Sequence, residues 1–345
     1  MREDRNVSLA SFTTLRLGGA ALRFVRVDDV AELEAVVGEA DQRGEPLLIL
    51  GGGSNLVVGD EGAGLVVQIA ITGIDVEKDG DRVRVRVAAG ESWDGLVARA
   101  VDEGWSGIEC LSGIPGLVGA TPMQNVGAYG QDVGETITRV GVFDRVSRSR
   151  AWLDREACAF TYRNSYFKGN ARYVITHVEL SFAVDPLGAP VRYAELARAL
   201  GIAEGARAPA SVIRPTVIDL RRKKGMVIDA ADPDSVSAGS FFMNPIVSAD
   251  ALRRIEASIK EPVPRFDMEG SFKVPAAWLI ERAGFAKGHS AGHVGISQKH
   301  ALALVHRGGG TTSELLSLAR AIRDGVRARF GVELVPEPVM VGCSL

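Results

Sequence analysis

Apolar residues near the start of the chain recur first at helical and then at strand spacing. Residues 29–43 place apolar side chains at every third or fourth position, and Asp28 or Asp29 stands where a helix N-cap is expected. The apolar run 46–50 predicts a short buried strand, and residues 64–69 predict a second one. This opening is typical of a small β-α-β unit, and we expect the turn after residue 50 to face a ligand.

A strict alternation of arginine and valine over 82–87 predicts a strand with one buried valine face and one solvated arginine face. Ser92 is placed to cap a helix that runs to Gly104, and strands are expected at 138–143 and 173–182. The arginines could also form a nucleic-acid-binding stripe. Their surroundings are neutral, which favours the solvated sheet face.

The pattern changes beyond residue 185, where the alternation stops and prolines and glycines interrupt the chain. The basic run 221–224 is interpreted as a boundary. The last helix should begin at a capping box formed by Thr311 and Glu314. The other elements predicted here are helices at 193–200, 248–259, 276–283 and 297–305 and a closing strand at 332–341.

Length, composition and charge limit the classes of protein to which this chain can belong. A chain of 345 residues is expected to form two or three domains, and 46% hydrophobic with 24% charged residues is typical of a soluble globular protein. The net charge of −3 gives no general footprint for nucleic acid, and no apolar run approaches the roughly 18–20 residues of a membrane span. Residues 1–6 lack the apolar core of a signal peptide, so we expect a cytoplasmic protein.

Neither a disulfide framework nor a metal site is expected. The three cysteines are far apart and form no Cys-x-x-Cys pair. His289 and His293 lie close in sequence, but no cysteine or carboxylate accompanies them at ligand spacing.

Two glycine-rich segments, 50–56 and 113–130, carry most of the functional information. Glycine allows a ligand to approach the backbone closely, and successive N–H groups bind anions. A P-loop is excluded because no lysine follows Gly53, and a dinucleotide-binding turn is disfavoured because 54–58 is too β-branched to open a long helix. Taken alone, the first segment fits either a ligand cradle or a tight turn.

The second segment narrows the choice of ligand. Prolines should hold it rigid, and Gln124 and Asn125 offer side-chain amides to a heterocycle or ribose. It is also too apolar for an ordinary surface loop, which favours burial against something large and flat. A flavin fits this description.

The sequence Gly-Gly-Gly-Ser-Asn at 51–55, followed by Gly-Ile-Pro-Gly-x-Val-Gly-Ala-x-Pro-x-Gln-Asn-x-Gly-Ala-Tyr-Gly at 113–130, resembles UDP-N-acetylenolpyruvoylglucosamine reductases, also called UDP-N-acetylmuramate dehydrogenases. The resemblance extends over nearly the whole chain. It implies an α+β protein in which an FAD-binding fold of the vanillyl-alcohol-oxidase type, two α/β subdomains enclosing FAD, is joined to a C-terminal α+β substrate-binding domain. The expected divisions are subdomain 1 at 1–70 with the closing strand 331–345, subdomain 2 at 71–220, and the substrate-binding domain at 221–330.

The resemblance also implies non-covalent FAD, NADPH as co-substrate and UDP-N-acetylglucosamine enolpyruvate as substrate. The expected cofactor contacts are Leu50, Gly51, Gly52, Gly53, Ser54, Asn55, Leu56, Ile114, Pro115, Gly119, Ala120, Thr121, Gln124, Asn125, Gly127 and Ala128. The expected substrate contacts are Tyr129, Tyr193, Arg221, Lys224 and Asn244. Tyr193 places the chain with the type that carries a substrate-capping tyrosine, and Arg221 with Lys224 would meet the diphosphate.

Three residues are expected to be catalytic. Arg163 lies among aromatic residues, which from the residues alone fits either cation–π packing or an anion clamp. A lone serine such as Ser240 is commonly a turn residue, and Glu337 is a glutamate in an otherwise apolar C-terminal stretch.

The resemblance implies a catalytic role for each of them. Hydride passes from flavin N5 to the β-carbon of the enol ether, and Ser240 delivers a proton to the α-carbon, which gives UDP-N-acetylmuramate for peptidoglycan. Arg163 stabilises the substrate carboxylate. Glu337 helps, either as a protonated acid or through a hydrogen-bonded water.

Two other functions are weighed against this one. An oxidase of the same fold would react with oxygen in place of the enolpyruvyl substrate. A histidyl link to FAD in the glycine-rich region is excluded, because no histidine precedes His177. A non-catalytic UDP-sugar-binding protein would be colourless after purification. We expect a monomer or a weak oligomer.

Overall fold

The computed structural model describes residues 1–345 and contains seven α-helices and twenty-one strands. The helices are α1 (Val30–Arg43), α2 (Trp93–Asp102), α3 (Ala194–Leu200), α4 (Ala210–Lys223), α5 (Ala249–Ser258), α6 (Ala276–Arg282) and α7 (Thr312–Phe330). The strands are β1 (Arg2–Ser8), β2 (Ala20–Val27), β3 (Leu47–Leu50), β4 (Leu56–Val58), β5 (Ala63–Ile69), β6 (Ile74–Asp79), β7 (Arg82–Ala88), β8 (Trp105–Ser106), β9 (Gly127–Ala128), β10 (Gln131–Asp132), β11 (Ile137–Asp144), β12 (Ser149–Asp154), β13 (Tyr173–Val184), β14 (Ser237–Ser240), β15 (Ile246–Val247), β16 (Phe266–Met268), β17 (Ser271–Lys273), β18 (Ser290–Ala291), β19 (Val294–Ile296), β20 (Ala303–His306) and β21 (Val339–Val341).

Contacts group the chain into two units, each built from several segments. The first unit comprises Met1–Asn6, Leu22–Gly52 and Gly64–Lys223. The second unit comprises Val7–Ala21, Gly53–Ala63 and Lys224–Leu345. The first glycine-rich segment is therefore divided between the units after Gly52, and the finer division into three domains stays a prediction.

The opening helix and strands of the first unit are those that the sequence predicts. Asp29 is the N-cap of α1, and its carboxylate accepts a hydrogen bond from the Glu32 N–H. One sheet has the order β1-β2-β5-β3, with β3 and β5 parallel. Because Leu50 ends β3 and is buried, the glycine-rich segment begins at a fixed point.

The second sheet of this unit is antiparallel and has the order β12-β11-β13-β7-β6, with β8 paired to β13. The valines of β7 are buried, whereas Arg82 and Arg86 are exposed, which confirms the predicted faces. Trp93 at the start of α2 is fully buried, and its indole N–H donates to the Leu111 carbonyl. This bond ties α2 to the chain just before the second glycine-rich segment.

Helices α3 and α4 share a smaller core in the same unit. Its buried members are Cys110, Val191, Leu196, Ala197, Ala208, Ile213 and Val217. The sequence predicts α3 but not α4, and Arg221, in the basic run interpreted as a boundary, lies in the last turn of α4. Pro215 inside the helix hides the pattern, because proline normally interrupts a helix.

The second unit contains the sheets β14-β20-β19-β18 and β15-β17-β16 and the parallel pair β4 and β21. The capping box of α7 is present, with the Thr311 hydroxyl accepting from the Glu314 N–H and the Glu314 carboxylate accepting from the Thr311 N–H. Phe241 and Phe242 are buried in its core.

Two predictions in this unit are wrong. No helix covers 297–305, because the Ser297 hydroxyl accepts from two following N–H groups and turns the chain into β20. The closing strand is shorter than 332–341 and spans only Val339–Val341. Pro336 and Pro338 have no N–H to donate to a ladder, so the chain before β21 is irregular.

Candidate active site

The first glycine-rich segment is built of backbone in close contact with backbone. A Cβ on Gly52 would lie 2.8 Å from the Cα of Gly116 in the second segment. Gly53 has φ +60°, and a Cβ there would lie 1.8 Å from the Phe12 carbonyl oxygen. Only glycine fits at these two positions. Leu50, Gly51, Ser54, Asn55 and Leu56 complete this segment, with the Asn55 carbonyl accepting from the Val339 N–H.

The second segment is held to the end of β7 by backbone hydrogen bonds. Val118 N–H donates to the Glu91 carbonyl at 2.9 Å, and Gly119 N–H donates to the Ala89 carbonyl at 2.9 Å. A 3-10 turn covers Val118–Ala120, and Thr121 is buried with its hydroxyl bonded to the Val118 carbonyl. Ile114 and Pro115 are half-buried and Ala120 is exposed. A rigid, bare backbone surface therefore lies beside Gly52.

Asn125 uses its side-chain amide within the protein. Its Nδ2 donates to the Thr161 carbonyl at 3.1 Å, and its Oδ1 accepts from the Gly134 N–H at 2.9 Å. The residue is buried and has φ +47°. Asn125 thus fixes the turn that precedes Arg163, whereas contacts of Asn125 and of the half-buried Gln124 to a cofactor stay predictions.

Arg163 is oriented by the hairpin of β9 and β10. Its Nη2 donates to the Gly127 carbonyl at 2.7 Å, and its Nη1 lies 3.7 Å from Asp132 Oδ1 on the opposite strand. The guanidinium carbon also lies 5.3 Å from the centre of the Tyr162 ring. Arg163 therefore has both the aromatic packing and the fixed donor geometry that an anion clamp requires.

The same hairpin carries Ala128 and places Tyr129 at its turn. Tyr129 and Gly130 have φ +49° and +83°, which is the geometry of a two-residue type I′ turn. The Tyr129 ring meets the Tyr193 ring edge to face, with centroids 5.4 Å apart. Burial raises the pKa of Tyr129 to about 12, although the positive charge of Arg221 acts in the opposite direction.

Arg221 belongs to the same group of residues as Tyr129 and Tyr193. Burial lowers the pKa of Arg221, and the charges of Tyr129 and Asp94 oppose that shift. The structure thus brings together Tyr129, Tyr193 and Arg221, three of the five predicted substrate contacts, in the first unit.

In the second unit, two predicted catalytic residues lie on paired segments. The Glu337 N–H donates to the Phe241 carbonyl at 2.9 Å, and Ser240 immediately precedes Phe241 at the end of β14. Asn55 Nδ2 lies 3.5 Å from the Glu337 carbonyl oxygen. Ser240, Glu337 and part of the first glycine-rich segment are therefore neighbours in the fold.

The other two predicted substrate contacts also belong to the second unit. Asn244 Oδ1 accepts from the Ala276 N–H at 2.9 Å, so this side chain caps α6. Lys224 is half-buried at the first residue of the unit's third segment. Their contact with a substrate stays a prediction.

Sequence reasoning missed two carboxylates near these groups. Asp132 faces Arg163 from the position paired with Gly127, and its place just after the Tyr129–Gly130 turn is the signal that could have found it. Asp94 in the first turn of α2 binds the Gly113 N–H and the guanidinium of Arg214. No local sequence pattern marks Asp94.

No three histidine, cysteine, aspartate or glutamate side chains lie together as a metal-ion site would require. None of the helices combines the length and the apolar character needed to cross a membrane.

Bare backbone at two touching glycine-rich segments suits the pyrophosphate of a dinucleotide, which needs close approach to N–H groups. The family model for an FAD-binding domain matches residues 21–146, which include both segments. The fold and the site thus define an FAD-dependent oxidoreductase.

The family model described as "UDP-N-acetylenolpyruvoylglucosamine reductase, C-terminal domain" matches residues 232–341. The reductase of that name from Thermobifida fusca is 54% identical over 99% of this chain and 98% of its own length. The one from Salinispora arenicola is 53% identical over 99% of this chain and 96% of its own length. A crystal structure of the Thermus caldophilus reductase covers 99% of both chains with a TM-score of 0.69 and 25% identity. The chain belongs to the UDP-N-acetylenolpyruvoylglucosamine reductase family.

Membership confirms the predicted fold class, an FAD-binding fold of the vanillyl-alcohol-oxidase type joined to a C-terminal α+β domain. It also confirms the reaction, which is the reduction of UDP-N-acetylenolpyruvoylglucosamine in peptidoglycan synthesis with FAD as cofactor and NADPH as reductant.

Proposed function

We propose that Arg163, Ser240 and Glu337 carry out the acid–base and electrostatic part of this reduction. One observation carries the proposal: the hydrogen bond from the Glu337 N–H to the Phe241 carbonyl at 2.9 Å puts Glu337 beside the segment that ends β14 at Ser240. Ser240 and Glu337 are distant in sequence, and this backbone hydrogen bond holds their segments side by side. A backbone contact fixes the geometry of a site better than side-chain contacts alone.

The cofactor-binding residues in this proposal are those of the two glycine-rich segments. Gly52 and Gly53 let this segment pack closely against neighbouring backbone, Gly51 leaves bare backbone for the pyrophosphate, and the backbone from Ile114 to Thr121 forms the adjoining wall. When bound and reduced by NADPH, FAD supplies the hydride from N5 that the substrate double bond accepts. The protein's own residues then control where charge and proton go.

Arg163 binds the carboxylate of the enolpyruvyl group and stabilises the negative charge that develops next to it. Its Nη2 is already anchored on the Gly127 carbonyl, so little reorganisation is needed when substrate arrives. A fixed donor at the position of developing charge contributes about 3–4 kcal/mol to lowering the barrier. Glu337 assists at the same carboxylate, either as the protonated acid or through a bound water, since an ionised glutamate there would repel the charge.

Ser240 donates its hydroxyl proton to the α-carbon as the β-carbon accepts hydride. The product then has two new C–H bonds, and the serine alkoxide regains its proton from water. A weak acid suffices because the carbon that accepts the proton is strongly basic.

The test is a pair of half-reactions measured by stopped-flow absorbance of the flavin. In Ser240→Ala, reduction by NADPH should stay within about twofold of wild type, whereas reoxidation by the enolpyruvyl substrate should slow by roughly 10²–10⁴-fold. Ser237→Ala is the matched control, since Ser237 lies on the same strand and its hydroxyl only accepts from the Gly239 N–H. Unchanged reoxidation in Ser240→Ala would show that the proton comes from another group.

The remaining parts of the proposal concern the protein's location, oligomeric state, partners and domain division. The protein acts in the cytoplasm as a monomer or weak oligomer, binds no nucleic acid, and divides into subdomains at 1–70 with 331–345, at 71–220 and at 221–330. The net charge of −3 supports the absence of nucleic-acid binding. Light scattering at micromolar concentration tests the oligomeric state, and a stable dimer would contradict it.

A further inference from the structure

Asp94 joins the second glycine-rich segment of the first unit to helix α4. Its Oδ1 accepts from the Gly113 N–H at 2.6 Å and from Arg214 Nη1 at 2.7 Å, and its Oδ2 accepts from Arg214 Nη2 at 2.9 Å. Gly113 begins the second glycine-rich segment, whereas Arg214 lies on α4. One carboxylate thus binds both the second glycine-rich segment and the helix that carries Arg221.

The bond to Arg214 falls at a weak point of α4. Pro215 lies inside the helix, lacks an N–H and removes one backbone hydrogen bond there. The Thr216 hydroxyl also bonds back to the Val212 carbonyl, which perturbs the helix further. A two-point guanidinium–carboxylate contact next to the proline therefore anchors the helix where its own ladder is interrupted.

Arg221 lies further along α4 than that anchor. Arg214 and Arg221 are seven residues apart, or about two helical turns, so they lie on the same face of α4. Arg214 is mostly buried, with 18% of its side chain exposed, and the positive charge of Arg221 acts on Asp94 as well. Asp94 therefore contacts both Gly113 and the face of α4 that carries Arg221.

We propose that Asp94 is a positioning residue that couples the two ligands, so that FAD and the UDP-sugar substrate each raise the affinity of the other. The inference rests on the proposed function, which places FAD at the glycine-rich segments, and on the contact between Arg221 and the substrate diphosphate that the sequence predicts. Coupling between two binding sites is reciprocal, so it can be measured on either ligand.

The experiment measures the FAD dissociation constant of the oxidised holoenzyme from the fluorescence of released FAD after ultrafiltration. It is run without NADPH, first alone and then with saturating UDP-N-acetylenolpyruvoylglucosamine, so that no turnover occurs. In wild type the substrate should lower the FAD dissociation constant by about fivefold or more.

Arg214→Met is the informative variant because it leaves the bond between Asp94 and Gly113 intact. Without substrate its FAD dissociation constant should stay within about twofold of wild type, whereas the substrate effect should fall to less than about twofold. Arg214→Lys keeps the charge but not the two-point contact, so it should show an intermediate effect and serves if the methionine variant fails to fold.

Asp144→Asn is the matched control. Asp144 also binds an arginine at two points, through Arg172, and accepts backbone N–H bonds, but none of its partners belongs to the glycine-rich segments. It should retain the wild-type substrate effect.

The proposal is overturned if wild type shows no substrate effect, if Arg214→Met retains it, or if Asp144→Asn loses it equally. Arg221→Ala separates this failure from a failure of the proposed function. If its substrate affinity matches wild type, Arg221 does not bind the diphosphate, whatever the coupling measured through Arg214.

Discussion

Gly51 and Gly52 are adjacent in the first glycine-rich segment, yet alanine should act differently at each. A Cβ on Gly52 would lie 2.8 Å from the Cα of Gly116, whereas a Cβ on Gly51 would meet only the Ala120 and Leu117 side chains, at 3.8 and 3.9 Å. Carbon atoms pack at about 3.5–4.0 Å, so Gly52→Ala is overpacked by roughly 0.7 Å or more and Gly51→Ala is not.

The size of the effect follows from what would have to move. The obstacle at Gly52 is backbone of the second segment, which Val118 and Gly119 bond to the residues after β7. Gly52→Ala should therefore lower the free energy of unfolding by about 1–3 kcal/mol, the usual cost of overpacking. Gly51→Ala should change it by less than about 0.5 kcal/mol, since nothing in the protein is displaced.

FAD affinity distinguishes a cradle from an ordinary tight turn. If bare backbone at Gly51 faces the cofactor, its added methyl should raise the FAD dissociation constant tenfold or more at nearly unchanged stability, because it blocks close approach of the pyrophosphate. Urea unfolding gives the stability, and fluorescence of free FAD gives the dissociation constant. Gly38→Ala on α1, whose Cβ would meet nothing within 4 Å, is the control and should slightly stabilise the protein. Wild-type FAD binding in Gly51→Ala would refute the cradle.

Two further predictions concern single contacts. The pKa of native Tyr129 is about 12 whereas an unfolded tyrosine titrates near 10, so its contribution to stability is complete below pH 10 and is lost as the pH rises towards 12. Tyr129→Phe should remove that part of the alkaline loss and one late-titrating phenol from the absorbance at 295 nm, and an unchanged titration would contradict the assignment. Thr311→Ala should lower the free energy of unfolding by about 1 kcal/mol in urea, because it removes the hydroxyl that caps α7, and no change would mean that the cap contributes nothing.

Much of the first unit could be predicted because its signals are local. Each signal spans only a few neighbouring residues, as in the arginine–valine alternation of β7 and the N-caps of α1 and α2. The structure confirms all three. The sequence does not predict helix α4 because Pro215 argues against a helix, whereas packing of Ile213 and Val217 in the smaller core helps to offset that cost. Tertiary contacts, and not local sequence signals, therefore account for the formation of α4.

The candidate site shows the same limit. The glycine-rich segments can be identified from the sequence alone, because their composition is the signal. The bond from Arg163 to the Gly127 carbonyl, and that from the Glu337 N–H to the Phe241 carbonyl, join residues that no local pattern relates. The resemblance to a family supplied the residues, whereas their mutual placement required the fold.

Backbone strain gives an independent argument that the Arg163 side chain is needed. Arg163 has φ +52°, a conformation that costs a residue with a Cβ about 1 kcal/mol or more and that glycine adopts freely. Arg148 has nearly the same φ, +54°, but lies in an exposed turn. The two arginines are therefore a matched pair in which φ is nearly the same and the surroundings differ.

Glycine at these two positions should separate strain from function. Arg148→Gly should raise the free energy of unfolding by up to about 1 kcal/mol and leave kcat/KM unchanged, because only strain is relieved. Arg163→Gly relieves the same strain but loses the bond to the Gly127 carbonyl, worth about 1.5–3 kcal/mol for a charged donor, so stability should fall modestly while kcat/KM drops at least 10²-fold. Urea unfolding and steady-state NADPH oxidation measure the two quantities. Near-normal kcat/KM in Arg163→Gly would mean that the strained arginine is retained for packing on Tyr162, and that the substrate carboxylate is bound elsewhere.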